Sequence, residues 1–400
     1  MTTAAATFDP FSSDFWNDPT EVYRRLRDEA PVYRNAEVGF YALSRFDDVM
    51  TAHLDPVTLS STHGVTIEGI DAGQPFLIVK DPPDHTAHRK IVSRVFTPRR
   101  IGALEPFIRA RAGELLDRVR DQRAFDVAAD FSIRLPLDVI SELIGIPPSL
   151  RAEVHVLCDR ITTRQEGSTD YEDALAANIE LHTLLVGLVR DRRAHPGDDV
   201  ISLLIASPVP LDDGTERSLD DDELASRFLE LAFAGHETVA KLIPNGVIAL
   251  AWYPNQRREL VADPSLMAGA VEEMLRWDPP SHYQGRWTTR DLELHGTTIP
   301  AGNRVILVTG SAGHDERRYH EPELFDLHRD VDRHLSFGFG AHLCLGAALA
   351  RLETRVAFEE LLARIPDYGI DETSAVRQYS SNVRGLAHLE IAPEPAPVST

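Results

Sequence analysis

The sequence predicts a mainly α-helical fold with small attached β-sheets. Apolar residues recur at helical spacing along most of the chain. One helical stretch, from about Ser218 to Trp252, is long and apolar on most of its sides. Strand-like segments are few and short, and no βαβ rhythm runs through them.

Composition sets the outer bounds. The chain has 400 residues, 43% hydrophobic and 26% charged, which is ordinary globular usage and excludes a disordered or collagen-like chain. Its formal net charge of −22 repels phosphate backbones, so no nucleic-acid partner is expected. Only two cysteines occur, Cys158 and Cys344. Four-thiolate zinc sites, four-cysteine iron–sulfur clusters and disulfide frameworks are therefore excluded within one chain, as is a Cys-x-x-Cys-His haem attachment. No run of 18 apolar residues and no leader pattern in Met1 to Asp9 are visible, so a cytoplasmic protein without a membrane span is expected. A single domain over residues 1–400 with short disordered ends is expected, the tail being Ala392 to Thr400.

Taken in order, Thr20 to Ala30 has helical spacing. Val32 to Leu43 reads as a hairpin, with aromatic and β-branched residues on both sides of a polar turn. Ile101 to Arg120 and Leu175 to Arg193 are amphipathic. Loop chemistry marks His195 to Asp199 and Ser207 to Gly214. Ser218 is a suitable N-cap for the long helix, with Asp220, Asp221, Asp222 and Glu223 complementing its dipole. That helix contains Pro244 and, at 1.5 Å per residue, would run roughly 50 Å through the protein as a central buried element. Further strand signals are Leu292 to Ile299, Val305 to Val308 and Leu386 to Ile391.

The most informative segment is Phe337-Gly-Phe-Gly-Ala-His-Leu-Cys-Leu-Gly346. Leu345, Leu349, Leu352 and Val356 follow helical spacing, so a helix is expected to begin near Cys344. A glycine-rich loop would then deliver one thiolate to a helix N-terminus, where the dipole and free N–H groups stabilise it. Gly338 and Gly340 would permit close approach to a flat, large partner. A haem iron with one cysteinate ligand fits. Two other readings stand beside it: an ordinary buried cysteine, which suits Cys158, and a nucleophile with His342 as base, for which no orienting third residue is evident.

This loop resembles the cysteine-ligand loop of the cytochrome P450 family. Three further segments in the family's order accompany it over residues 85–346. The resemblance implies a triangular, helical prism around a central long helix, and haem b held by Cys344 as axial ligand to iron. It makes Phe337, Gly338, His342 and Gly346 haem-binding positions of the loop, Phe337 packing near the sulfur. Glu273-Met-Leu-Arg276 alone would read as a solvated surface pair, since the two lie three apart on one helix face. By resemblance it is the family's buried Glu-x-x-Arg, joined by Arg329, with a structural role. Ala234-Gly-His-Glu-Thr238 puts a glycine inside the long helix at a cost of about 1 kcal/mol. That glycine calls for room for a ligand or a local break, although a Thr bonded back to its own helix is the plainer reading. By resemblance Ala234 and Gly235 border the oxygen-binding groove. Thr238 would hydrogen-bond dioxygen or its ordered water, and Glu237 would relay protons.

Haem carries two propionates, whose burial requires cationic or donor partners. His85 and Arg89 lie four apart, hence on one helix face, and with Arg286 and His342 they match family positions that hold propionates. His88 does not match and is expected to be exposed. Phe233 and Ala234 are expected to line the substrate pocket, with His282 and Tyr283 added from the segment after Arg276. Residues 63–76 resemble the family's variable loop. Glu230 could face pocket or protein. The chain shows no nicotinamide or flavin fingerprint, so electrons would come from NAD(P)H through an external ferredoxin system. Lys90, Arg94, Arg99 and Arg100 form a basic strip where an acidic ferredoxin could dock. The activity implied is hydroxylation of an apolar small molecule by a monomeric monooxygenase. Alternatives are a peroxide-driven peroxygenase, against which Glu237 and Thr238 argue, and a non-catalytic haem-thiolate sensor.

Overall fold

The structure is a computed structural model describing residues 6–69, 72–162, 172–210, 214–378 and 382–393. The expected disordered ends lie largely outside the described residues. Helices α1 (Ser13–Asn17) and α2 (Thr20–Glu29) lead into a hairpin of β1 (Val32–Asn35) and β2 (Phe40–Leu43), then α3 (Phe46–Leu54) and β3 (Leu59–Ser60). Next come α4 (Asp84–Val92), α5 (Pro98–Ala103), α6 (Glu105–Asp117), β4 (Phe125–Asp126), α7 (Arg134–Ile144) and α8 (Pro148–Thr162). They are followed by α9 (Glu172–Ala194), α10 (Val200–Ile205), the short pair β5 (Val209–Pro210) and β6 (Glu216–Arg217), and the central α11 (Asp221–Trp252). The chain continues through α12 (Pro254–Ala262), α13 (Met267–Trp277), β7 (Gln284–Thr288), β8 (Leu292–Leu294), β9 (Thr297–Ile299), β10 (Arg304–Leu307) and α14 (Thr309–Gly313). After the cysteine loop come α15 (Ala347–Arg364), β11 (Tyr368–Ile370), β12 (Val376–Arg377), β13 (Leu386–His388) and β14 (Glu390–Pro393).

The amphipathic stretch 101–120 is divided between α5 and α6, because Pro106 suits the first turn of a new helix rather than the middle of an old one. α11 is unbroken over 32 residues. Its cap is Asp220 rather than Ser218. The Asp220 carboxylate accepts from Glu223 N (2.8 Å) while Glu223 accepts from Asp220 N (3.0 Å), a reciprocal box that the glutamate three residues on closes for Asp220. Pro244 withdraws the donor that would have met the Ala240 carbonyl, and Ser132 Oγ supplies the replacement at 2.9 Å. The largest apolar core packs around α11, drawing in α6, α7, α9, α13 and α15. Cys158, on α8, is fully buried there, and burial pushes its thiol up to about 12.

A five-stranded sheet, ordered β1-β2-β10-β7-β3, flanks the helical body. β10 runs parallel to β2 and antiparallel to β7, pairing Val305 with Arg286. β7 is absent from the sequence reading. Gln-Gly-Arg-Trp-Thr has no apolar alternation, and it becomes a strand because backbone partners wait on both sides.

Two buried histidines on this frame make stability pH-dependent. His236 and His282 are both held down to about 4, chiefly by burial. Below the ordinary value near 6.5 the unfolded chain therefore binds protons that the folded chain refuses. Stability should fall as pH drops from 6.5 to about 4, by up to roughly 1.4 kcal/mol per pH unit for each histidine. Denaturant titrations at pH 7 and pH 5 check this, and substitution of His236 by Phe should flatten the slope.

Candidate functional site

Cys344 lies just before a helix, not in it. The chain passes Phe337, makes a short 3-10 turn at Gly340–His342, extends at Leu343, and enters α15 three residues after the cysteine. Cys344 N donates to Phe337 O at 2.9 Å, closing the loop on itself. Gly338 and Gly340 have φ of 65° and 66°, left-handed conformations that disfavour other residues. A Cβ on Gly340 would also come 2.7 Å from the His53 carbonyl, so the loop rides directly on the end of α3.

Cys344 is exposed, yet enough protein surrounds it for desolvation to be the largest influence on its thiol. The net effect is upward. The Gly346 N–H, Arg89, Arg351 and the Ala347 N–H all pull the other way. The helix terminus alone therefore does not hold the sulfur as a thiolate, whereas a coordinated metal deprotonates it outright. The Phe337 ring carries the Arg351 guanidinium 4.6 Å from its centroid. Arg351 in turn is held by Glu272 at 2.6 Å.

Beside this loop the structure gathers basic groups without matching acids. His85 and Arg89 share one face of α4, and the His85 ring lies 4.2 Å from that of His342. An Arg89 N–H donates to the Leu343 carbonyl, one residue before the cysteine. Arg286, 4% exposed on β7, donates to the neighbouring Gly285 carbonyl at 2.7 Å, and burial brings it down to about 10. His342 is pushed down to about 2 by burial together with Arg286, His85, Arg89 and His53. Among the described residues neither Arg89 nor Arg286 has a carboxylate within ion-pair distance, and His85 Nδ1 is buried without a partner. A buried cation such as Arg286, left this way, calls for an anion. The two carboxylates of a haem, with a single cysteine for its iron, fit this donor set.

On α11, Glu230, Ala234 and Thr238 follow one another at four-residue steps on one face. Ala234 is exposed and Thr238 half-buried, with Thr238 Oγ donating to Ala234 O at 3.2 Å. Gly235 opens no gap in the helix. A Cβ there would fall 2.7 Å from Ile140 Cδ1, so the glycine admits α7. Glu237 is half-buried and favours the charged form of Lys241, which burial nonetheless lowers to about 8. Phe233 packs partly buried against the core, 6.2 Å from His236. Glu230 faces protein. It accepts from Leu77 N (2.7 Å) and Ile78 N (3.0 Å) and is held by Arg227 at 3.3 Å, tying the segment after the variable loop to α11.

Three expectations are corrected. His282 and Tyr283 do not line an open pocket. Both are buried in the N-terminal aromatic cluster, His282 bonded to Tyr23 Oη at 2.5 Å and Asp278 at 3.3 Å, and Tyr283 packed on Phe8 and Trp16. Tyr23, Phe8 and Trp16 come from the opposite end of the chain, beyond what local spacing reports. His88 is buried too, pairing with Asp84 at 3.2 Å and lying 3.5 Å from Arg227. Residues that sequence reasoning missed include Arg227, Arg351 and His53, the last lying on the buried face of α3 with Phe46, Val49 and Ala52. A lone histidine on an apolar face gives no signal that separates it from core.

Glu273 and Arg276 are both fully buried, bonded twice at 2.7 Å, and Arg329 reaches the same carboxylate at 3.2 Å. Lys90, Arg94 and Arg99 are exposed, and Arg94 donates to Ser207 Oγ at 3.1 Å. No described helix is long and apolar enough to cross a membrane.

A helical body that sets one accessible cysteine beside His85, Arg89, Arg286 and His342, with no carboxylate on either arginine among the described residues, fits a haem-thiolate protein. The comparisons agree. A family model described as Cytochrome P450 matches residues 168–365. "Putative cytochrome P450 123" of Mycobacterium tuberculosis is 41% identical, with 96% of each chain covered. "Vitamin D(3) 25-hydroxylase" of Pseudonocardia autotrophica is 37% identical over 98% of both. A cytochrome P450 structure from Chondromyces apiculatus superposes with a TM-score of 0.89 at 32% identity, covering 98% of this chain and 100% of its own. The chain belongs to the cytochrome P450 family and is a haem-dependent monooxygenase of that kind.

Proposed function

We propose that this enzyme hydroxylates an apolar small molecule, using dioxygen and two electrons delivered from NAD(P)H by a separate ferredoxin system. The observation that carries it is the Cys344 loop set beside His85, Arg89, Arg286 and His342, with no carboxylate paired to either arginine among the described residues. When bound, haem supplies the oxygen activation that inserts one oxygen atom into a C–H bond. The chain's own contribution is threefold. Cys344 offers the sulfur and the basic set holds the carboxylates. The exposed Ala234 with Phe233 gives the substrate an apolar wall. Thr238 and Glu237, one turn further on, hold and hand over protons. The relative named for 25-hydroxylation of vitamin D3 supports an apolar substrate. A cytoplasmic, monomeric protein goes with this reading.

The test is a screen of apolar compounds for the spectral change that follows loss of the iron's axial water. Compounds that give it should then yield a hydroxylated product with dioxygen and reductant. No product from any such compound overturns the reading. Thr238→Ala should leave binding intact and let oxygen consumption outrun product roughly tenfold, read as hydrogen peroxide released per product formed. Reversing charge at Arg94 and Arg99 to Glu should raise the apparent KM for an acidic ferredoxin about fivefold or more at low salt, with the difference fading as salt rises.

A further inference from the structure

We propose that His53, at the end of α3, is a further hydrogen-bond donor to the carboxylates of the bound haem, beside Arg286 and His342. The inference rests on haem occupying the site described above. His53 is 4% exposed, and neither of its ring nitrogens has a hydrogen-bond partner among the described residues. A neutral imidazole always carries one N–H and one acceptor nitrogen, so burying both unmet is unfavourable. Histidines that merely fill the core of this protein do not accept that state. His236 turns Nδ1 to the Ala232 carbonyl at 2.9 Å, and His282 is bonded at both nitrogens. His85 is the other imidazole of this cluster with an unmet buried nitrogen, and it stands on the same basic wall.

The cysteine loop fixes where His53 points. A Cβ on Gly338 would lie 3.6 Å from His53 Cε1, and one on Gly340 would lie 2.7 Å from its carbonyl. The two left-handed glycines thus seat the loop against His53, and the ring sits within electrostatic reach of both Arg286 and His342. An apolar side chain would pack at this position without leaving a donor unmet. A donor here is intelligible when an acceptor arrives with the ligand, and the two haem carboxylates offer four acceptor oxygens to a wall already built of donors.

The experiment follows haem release from the holoprotein to excess haem-free myoglobin. His53→Leu should release haem about tenfold faster than the parent protein, as loss of one charge-assisted hydrogen bond implies. One of His53→Asn and His53→Gln should restore release to within about threefold, identifying the donating nitrogen. Infrared spectra with haem labelled by carbon-13 in its carboxylates give the second readout. The carboxylate stretches should move in His53→Leu and return with the restoring amide. Release unchanged in His53→Leu overturns the proposal. Faster release with unmoved carboxylate bands also overturns it, because that pattern means packing alone. A parent protein that takes up no haem brings down the family reading together with this one, whereas a haem-loaded parent with an indifferent His53 brings down this one only.

Discussion

Cys344→Ser should fold as the parent does and lose hydroxylation by at least about a thousandfold, equivalent to roughly 4 kcal/mol of barrier. Folding should survive because the side chain contributes little to packing. It is exposed, and the bond that closes its loop runs from its backbone N–H to Phe337 O at 2.9 Å, which serine keeps. Thermal stability of the haem-free protein should therefore stay within the range of an ordinary surface change. The basic wall is untouched, so haem should still be captured through its carboxylates. What disappears is the donor itself: serine ionises far less readily than a thiol and offers a hard oxygen in place of a polarizable sulfur. The reduced protein with carbon monoxide should accordingly lose the red-displaced Soret band. Retention of that band by the serine variant would show that another residue ligates the iron.

Much of this site was legible because its chemistry is written in short, local spacings. His85 and Arg89 are four apart, and Glu273 and Arg276 are three apart, and each pair falls on one helix face. Element ends were less legible. Where the long helix starts depends on which backbone N–H the Glu223 carboxylate can reach, and where α15 starts depends on backbone angles at Gly338, Gly340 and Leu343. Contacts between distant parts of the chain were not legible at all. His282 beside Tyr23, His53 beneath the cysteine loop and Glu230 on the amides of Leu77 and Ile78 are each set by tertiary packing. The strand carrying Arg286 belongs with them, since β10 and β3 make it a strand more than its own residues do.

Glu273→Gln should cost about 3–5 kcal/mol of stability, a large part of the 5–15 kcal/mol typical of a folded domain. Both Glu273 and Arg276 are completely buried, and the substitution strands the Arg276 cation. The effect should reach the haem site, because this cluster anchors the chain that leads into the cysteine loop. Glu273 Oε1 accepts from Asp326 N at 2.9 Å and from Arg329 at 3.2 Å. Arg276 donates to the carbonyls of Gly313 (2.7 Å), Pro322 (2.8 Å) and Leu324 (3.2 Å), and Arg329 adds the carbonyls of His320 (2.6 Å) and Glu321 (3.1 Å). Exchanging a buried ion pair for apolar residues is often neutral, so a Glu273→Leu, Arg276→Met double variant would be expected to recover. Here it should not. The carbonyls of Gly313 and Pro322 would lose the donor they share, each unmet group costing about 1–3 kcal/mol, while the Leu324 carbonyl keeps Arg329 at 3.1 Å. The double variant should therefore be less unstable than the two single effects added together, yet still well below the parent. Denaturant midpoints for the four proteins, with haem content measured alongside, would decide it: recovery to parental stability would show that the pair matters only for its charge and does not hold the segment before the cysteine.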